Sequence, residues 1–151
     1  MLSEHAERRL PFAPEALFDL AADIEQYPRY LPGWHSAWIA SREAGRLLAE
    51  QSVGFGPVRL QFRTTAILQR PLAIEVTSED PQFKHFRLAW TFAADAARGC
   101  RVGLGVELEV RAALLQRAIE SLAAGSANAV LEAFARRAQQ VLARSSDQGV
   151  I

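Results

Sequence analysis

From Ala112 to Arg144 the sequence carries an apolar stripe at helical spacing: Leu115, Ile119, Leu122, Ser126, Val130, Ala133 or Phe134, and Val141. Arg117, Glu120, Glu132, Arg136 and Arg137 fall mainly off that stripe. The spacing predicts one helix of roughly thirty residues, about 45 Å long at ~1.5 Å per residue. Such a helix is held by packing of its apolar face more than by its own propensity, so it needs a partner surface of matching extent.

Only a sheet can supply that surface, because the pattern from Trp34 to Arg111 has period two. Leu47 to Phe55 is one run, closed by the turn signal Gly56-Pro57. Val58, Leu60, Phe62, Thr64, Ala66 and Leu68 then alternate with polar residues such as Arg59, Gln61, Arg63 and Thr65. Phe86, Leu88, Trp90 and Phe92 repeat the pattern, as do Val102, Leu104, Val106, Leu108 and Val110. Each strand thus has one wet face, and short connections make the sheet antiparallel. Ahead of it, Ser3 to Leu10 reads as a first strand. Ala13 onward reads as a helix, with Pro14 in its first turn and Leu17, Phe18 and Ala21 on one face. Tyr27-Pro28-Arg29-Tyr30-Leu31-Pro32-Gly33 is expected to be turns, since a proline restricts the residue before it.

The chain has 151 residues, half of them hydrophobic, which is enough for one domain spanning residues 1–151 with a real core. Zero formal net charge argues against a protein that coats phosphate backbones. The single cysteine, Cys100, excludes an internal disulfide and fits a reducing, cytoplasmic setting. The N-terminus lacks the apolar core of a signal peptide, and no segment reaches the roughly 18 apolar residues of a membrane span.

A search for catalytic groups yields little. His5, His35 and His85 are widely separated and none has metal-ligand spacing. There is no nucleophile elbow, phosphate-cradling loop or dinucleotide fingerprint. Arg98 and Arg101 flank Cys100 and would lower its pKa, although a half-buried strand residue is the simpler role. His85, Glu107 and Glu109 fall in the outward register. The inward register offers little polarity beyond Thr64 and Ser126. The expectation is a protein that is not an enzyme, holds no metal and requires no cofactor.

Phe55, Phe62, Leu88, Trp90, Phe92 and Val106 from strands face Leu115, Ile119 and Leu122 from the helix. Such a set is either a filled core or the wall of a cavity. The small-residue segment Ala123 to Ala129 has the same two readings. It allows close approach by a bulky strand residue such as Trp90, or it leaves room between helix and sheet.

Four segments in order carry a resemblance. They are Asp23-Ile24-Glu25-Gln26-Tyr27-Pro28-Arg29-Tyr30-Leu31-Pro32; Val53-Gly54-Phe55; Phe83-Lys84-His85-Phe86 leading to Trp90-Thr91-Phe92; and Ala133-Phe134-Ala135-Arg136-Arg137-Ala138. Together they resemble the coenzyme Q-binding branch of the START-like, or polyketide cyclase/dehydrase, superfamily. Two places depart from the family pattern: Asp80-Pro81-Gln82-Phe83-Lys84 lacks the usual glycine, and Gly33-Trp34-His35 replaces a tryptophan-cysteine pair.

The resemblance implies an α+β helix-grip fold of the START/Bet v 1 type. In it a curled seven-stranded antiparallel sheet surrounds a long C-terminal helix, with two short helices after strand 1. It implies that the nine apolar residues named above line a hydrophobic tunnel for ubiquinone or a related polyprenyl lipid. The protein would be a carrier or chaperone in respiratory electron transport or quinone biosynthesis, with peripheral contact at the inner membrane face. Tyr27, Tyr30, Arg63 and Lys84 are candidates for the head group or tunnel mouth, each equally suited to a surface or loop-stabilising role. The family also includes bacterial ribosome-associated, toxin-like proteins that inhibit translation at the large subunit, the one reading with a nucleic-acid partner. Aromatase/cyclase-type enzymes of the wider superfamily are the second alternative.

Overall fold

A computed structural model describes residues 1–95 and 98–149, with side chains as far as 143. The order is β1 (Leu2–Leu10), α1 (Pro14–Ala22), a short 3-10 turn (Ile24–Gln26), α2 (Tyr27–Tyr30), β2 (Trp34–Glu43), β3 (Arg46–Phe55), β4 (Val58–Gln69), β5 (Ala73–Thr77), β6 (Phe83–Ala94), β7 (Cys100–Val110), α3 (Ala113–Leu122) and α4 (Ser126–Gly149). The seven strands form one curled antiparallel sheet in the order β1-β7-β6-β5-β4-β3-β2. The helix-grip architecture expected from the sequence is the one observed.

Period-two alternation sets the buried face. Leu60, Phe62, Thr64 and Ala66 of β4, and Val102, Leu104, Leu108 and Val110 of β7, are buried as the pattern requires. In β6 both Phe83 and Phe86 pack inward although they are three residues apart. The ladder shifts register between Phe83 and His85, so a bulge at Lys84 restores the face. On the outer face His85 Nε2 lies 2.7 Å from Glu107 Oε1, and Arg87 bridges Glu75 and Glu107.

Two expectations need correction. The segment Tyr27–Tyr30, whose prolines suggested turns, is a single helical turn, the second short helix that the resemblance implies, with Pro28 at its start where a missing N–H costs nothing. The predicted continuous helix from Ala112 is two helices, broken at Ala123-Ala124-Gly125. Gly125 has φ +80°, and a methyl group there would meet nothing within 4 Å. Close approach is therefore not its role. It supplies a left-handed backbone that ends one helix and redirects the chain into the next.

The new helix start is held from the far end of the sequence. Glu4 shares the inward register of β1 with Leu2 and Ala6. Its carboxylate accepts hydrogen bonds from Gly125 N at 2.8 Å, Ala127 N at 3.0 Å and Ser126 Oγ at 3.3 Å. An anion on the free N–H groups of a helix start also meets the positive end of the helix dipole. α3 is tethered separately. Gln116 accepts from Val110 N and donates to the Leu108 carbonyl, while the Met1 ammonium lies 3.1 Å from Glu120.

Replacing Gly125 by alanine is expected to lower the unfolding free energy by about 1–2 kcal/mol, because an L side chain resists left-handed φ. Asparagine, which tolerates that region, should cost less than alanine. Urea unfolding of the two variants checks this; equal stability of wild type and Gly125→Ala would contradict it.

Candidate functional site

The site lies where α4 leaves the sheet. α4 packs across β1 and β7 and against α1 and α2. Around Phe134 the contact is closed: its ring centroid is 4.8 Å from that of Trp90, which stacks in turn on Phe92 at 6.3 Å. Trp90, Phe92 and Phe134 are almost wholly buried.

Two turns of helix earlier the packing loosens into a cavity of about 60 Å³. Phe55, Phe62, Phe86, Leu88, Val106 and Leu108 line it from the sheet, with Val53 and Val76; Ser126 and Val130 face it from α4. Trp34, Gln51 and the Pro32-Gly33 turn complete the wall. An outer depression of about 250 Å³ shares Pro32, Gly33, Phe55, Ser126 and Val130 with it, and adds Gly54, Gly56, Leu122 to Gly125, and Ala129. The small-residue break between α3 and α4 thus forms one side of this vestibule. Leu122 lies over Gly56, its Cδ2 3.3 Å from where a Cβ would stand.

No side chain in the cavity wall titrates near neutrality. Its side-chain polarity is the Ser126 hydroxyl, which donates to Glu4, and one hydrogen-bonded chain. Trp34 Nε1 donates to Gln51 Oε1 at 2.8 Å, Gln51 Nε2 donates to Thr64 Oγ1 at 2.9 Å, and Thr64 donates onward to the Ala49 carbonyl at 3.4 Å. An indole N–H can only donate, so the orientation of the Gln51 amide is fixed by Trp34. Gln51 and Thr64 are buried on β3 and β4.

Of the residues singled out from the sequence, Phe55, Phe62, Leu88 and Val106 stand in the cavity wall. Trp90 and Phe92 do not; they belong to the closed aromatic stack. Ile119 is fully buried and Leu115 partly buried in the apolar cluster beneath α3 that also holds Phe62 and Phe83. Leu122 is 46% exposed, on the vestibule. None of the four candidate head-group residues reaches the cavity. The Tyr27 hydroxyl donates to the Ala21 carbonyl, and burial holds its pKa well above the ordinary phenol value. Tyr30 lies beneath the Arg137 guanidinium, 5.3 Å from its ring centroid. Arg63 is exposed and pairs with Glu50 at 3.3 Å, and Lys84 is exposed on the β6 bulge.

The residue missed was Gln51. Its signal is present in the alternation of Leu47, Ala49, Gln51 and Val53, which puts an amide on the apolar face of β3. Elsewhere, a groove of about 750 Å³ between β3, β4 and Glu79–Pro81 contains the Arg63–Glu50 ion pair and opens to solvent. Among the described residues no cluster of His, Cys, Asp and Glu could hold a metal ion, and no helix is long and apolar enough to cross a membrane.

Comparison with known proteins agrees with this architecture. The profile of the family described as polyketide cyclase/dehydrase and lipid transport matches residues 10–135. The ribosome association toxin RatA of Pseudomonas aeruginosa is 28% identical over 142 residues, covering 93% of this chain and 99% of that protein. An 18 kDa protein of Caulobacter crescentus superposes with a TM-score of 0.75 at 27% identity, over 95% of this chain and 99% of that one. The Zhui aromatase/cyclase of Streptomyces superposes with a TM-score of 0.79 at 16% identity, over 93% and 96% of the two chains, a likeness of fold.

Cys100 takes the structural strand role that the sequence favoured, and only the lowered pKa is corrected. It is fully buried at the start of β7, and burial raises its thiol pKa despite the neighbouring arginines. Raising the pKa suppresses the native thiolate, so at about pH 8, near the free-thiol value, Ellman's reagent should react with Cys100 only as fast as the protein opens. Addition of urea through the unfolding transition should release the full rate. Rapid labelling of the native protein would refute the buried placement.

Proposed function

The chain belongs to the polyketide cyclase/dehydrase and lipid transport family, and from that premise we propose that it binds a hydrophobic ligand between the sheet and α4 without altering it chemically. The observation that carries this reading is the apolar cavity joined to a vestibule at the α3–α4 break, with no acid or base in its wall. General acid–base or nucleophilic chemistry needs such a group within reach of the substrate. The cargo we propose is ubiquinone or a related polyprenyl lipid, carried in the cytoplasm and exchanged at the membrane surface.

A cavity of about 60 Å³ is far below the ~300–1,000 Å³ of ordinary ligand sites, so loading requires movement. In this reading α3 is the element that moves, releasing the Gln116 bonds to β7 and the Met1–Glu120 ion pair. It is bounded by the left-handed Gly125 and covers the cluster of Leu60, Phe62 and Phe83 with Ile119. Displacing α3 would extend the joined cavity and vestibule over that cluster, and a lipid tail would replace the contacts that Leu115 and Ile119 relinquish. Leu115, Ile119 and Leu122 act in this reading as the lid.

A second reading has its own support, because curated relatives spanning nearly the whole chain are named ribosome association toxins. Ribosomal RNA attracts a localised basic surface. Arg8, Arg29 and Arg136 are exposed, whereas Arg9 is paired with Asp95 and Arg137 is stacked on Tyr30.

Native mass spectrometry and solvent extraction of the protein purified from its own cells should recover a bound polyprenyl quinone. Val130→Phe, which fills the inner cavity, should lose that cargo while keeping the fold. Reproducibly lipid-free wild-type protein would overturn the carrier reading. Co-sedimentation with large ribosomal subunits, lost as salt is raised, would establish the second reading, and its absence at low salt would remove it.

A further inference from the structure

We propose that Gln51 is the ligand-reading group of the cavity and that the ligand it selects is electrically neutral and presents a carbonyl oxygen. The inference rests on the hydrophobic-ligand reading above and adds to it the chemistry of the recognised end.

The hydrogen-bonded chain has a fixed direction. Trp34 Nε1 has a single hydrogen and no lone pair to offer, so the oxygen of Gln51 must face it. The amide nitrogen of Gln51 then faces Thr64 Oγ1, which has to accept, leaving the threonine hydroxyl to donate to Ala49. Every member points the same way, and no alternative arrangement satisfies the indole. A primary amide carries two hydrogens, and Thr64 takes one. The second amide hydrogen has no acceptor among the described protein atoms. Gln51 is only 4% exposed, so bulk water does not supply one either.

A donor of that kind, held in an apolar wall, is costly to leave unmatched and well suited to a carbonyl. The surrounding wall decides the charge of the partner. Phe62, Phe86, Leu88 and Val106 are its neighbours in the cavity, and no cation stands among the lining residues. A carboxylate or phosphate brought there would lose its hydration for one neutral N–H in return, since the Ser126 hydroxyl already donates to Glu4. A pure hydrocarbon would leave the amide hydrogen as it was. A neutral ketone, quinone or amide gains the hydrogen bond without the desolvation of a charge.

The test uses probes sharing one bicyclic frame: 1-tetralone, tetralin and tetralin-2-carboxylate, measured by equilibrium dialysis against the full chain. Wild type is expected to bind 1-tetralone about tenfold more tightly than tetralin, and tetralin-2-carboxylate more weakly than either. Gln51→Met, similar in length and without the amide, should lose the preference for the ketone while retaining tetralin. The carbonyl stretch of 13C-labelled 1-tetralone bound to wild type should fall below its frequency in hexane, a readout that stands if the variant fails to fold. Equal binding of ketone and hydrocarbon, or a bound stretch at the hexane frequency, would overturn the assignment and leave the hydrophobic-ligand reading intact. Binding of the carboxylate as tight as that of the ketone would overturn neutrality. If neither neutral probe binds, the assignment falls together with the reading it rests on.

Discussion

The contact between Trp90 and Phe134 sets how far α4 stands from the sheet. With the ring centroids 4.8 Å apart and both side chains fully buried, the helix has no freedom to approach or withdraw at that level. Interiors pack at crystal-like density, so a bulky pair at one level props the elements apart unless neighbouring side chains are large enough to fill the gap. Towards the start of α4 they are not. Ser126, Ala127 and Val130 are what the helix offers there, opposite Leu88 and Val106. The aromatic closure and the cavity beside it are consequences of one spacing.

That arrangement depends on where α4 begins. A single helix running from Ala112 would have carried the stripe of α3 onward in one direction. The left-handed turn at Gly125 lets α3 cover the cluster under Leu60, Phe62 and Phe83 while α4 covers the cluster around Trp90. Two apolar clusters under two helices explain why the core is divided where the cavity lies. Glu4 secures the junction from the edge strand, so β1 holds the start of α4.

Much of this was legible in the sequence, and the exceptions have physical causes. Alternation revealed the faces of β4, β6 and β7 because a half-buried antiparallel strand leaves no other way to place Val, Leu and Phe. The helix break was not legible. Alanine, glycine and serine keep the apolar spacing of a helix uninterrupted, and positive φ at Gly125 leaves no mark distinguishing it from a glycine tolerated in a helix interior. Pro28 hid α2 by reading as a turn, although the first turn of a helix accepts proline equally well. Within the site, apolar wall residues were recognisable as a set, but Trp90 and Leu88 look alike in register. Only packing shows that one fills the core and the other faces space. Gln51 escaped because its run, Leu47 to Phe55, is too rich in apolar residues for a polar intruder to stand out.

On the proposed reading, the division of labour between tail and amide follows from where a lipid starts. Each buried CH2 is worth about 0.8 kcal/mol against water, but a bilayer already provides nearly the same environment, so most of that term cancels on transfer. Hydrocarbon cannot provide a hydrogen-bond donor, and unsatisfied polar groups there carry the corresponding cost. The interaction that differs between the two environments is therefore the one made by Gln51, however small beside the area buried by the tail. Lid residues such as Ile119 influence how often the cavity opens, while the amide biases which molecule remains. Weak net preference is what exchange requires, since a carrier that bound its cargo as tightly as water-to-oil transfer permits would never release it to a membrane.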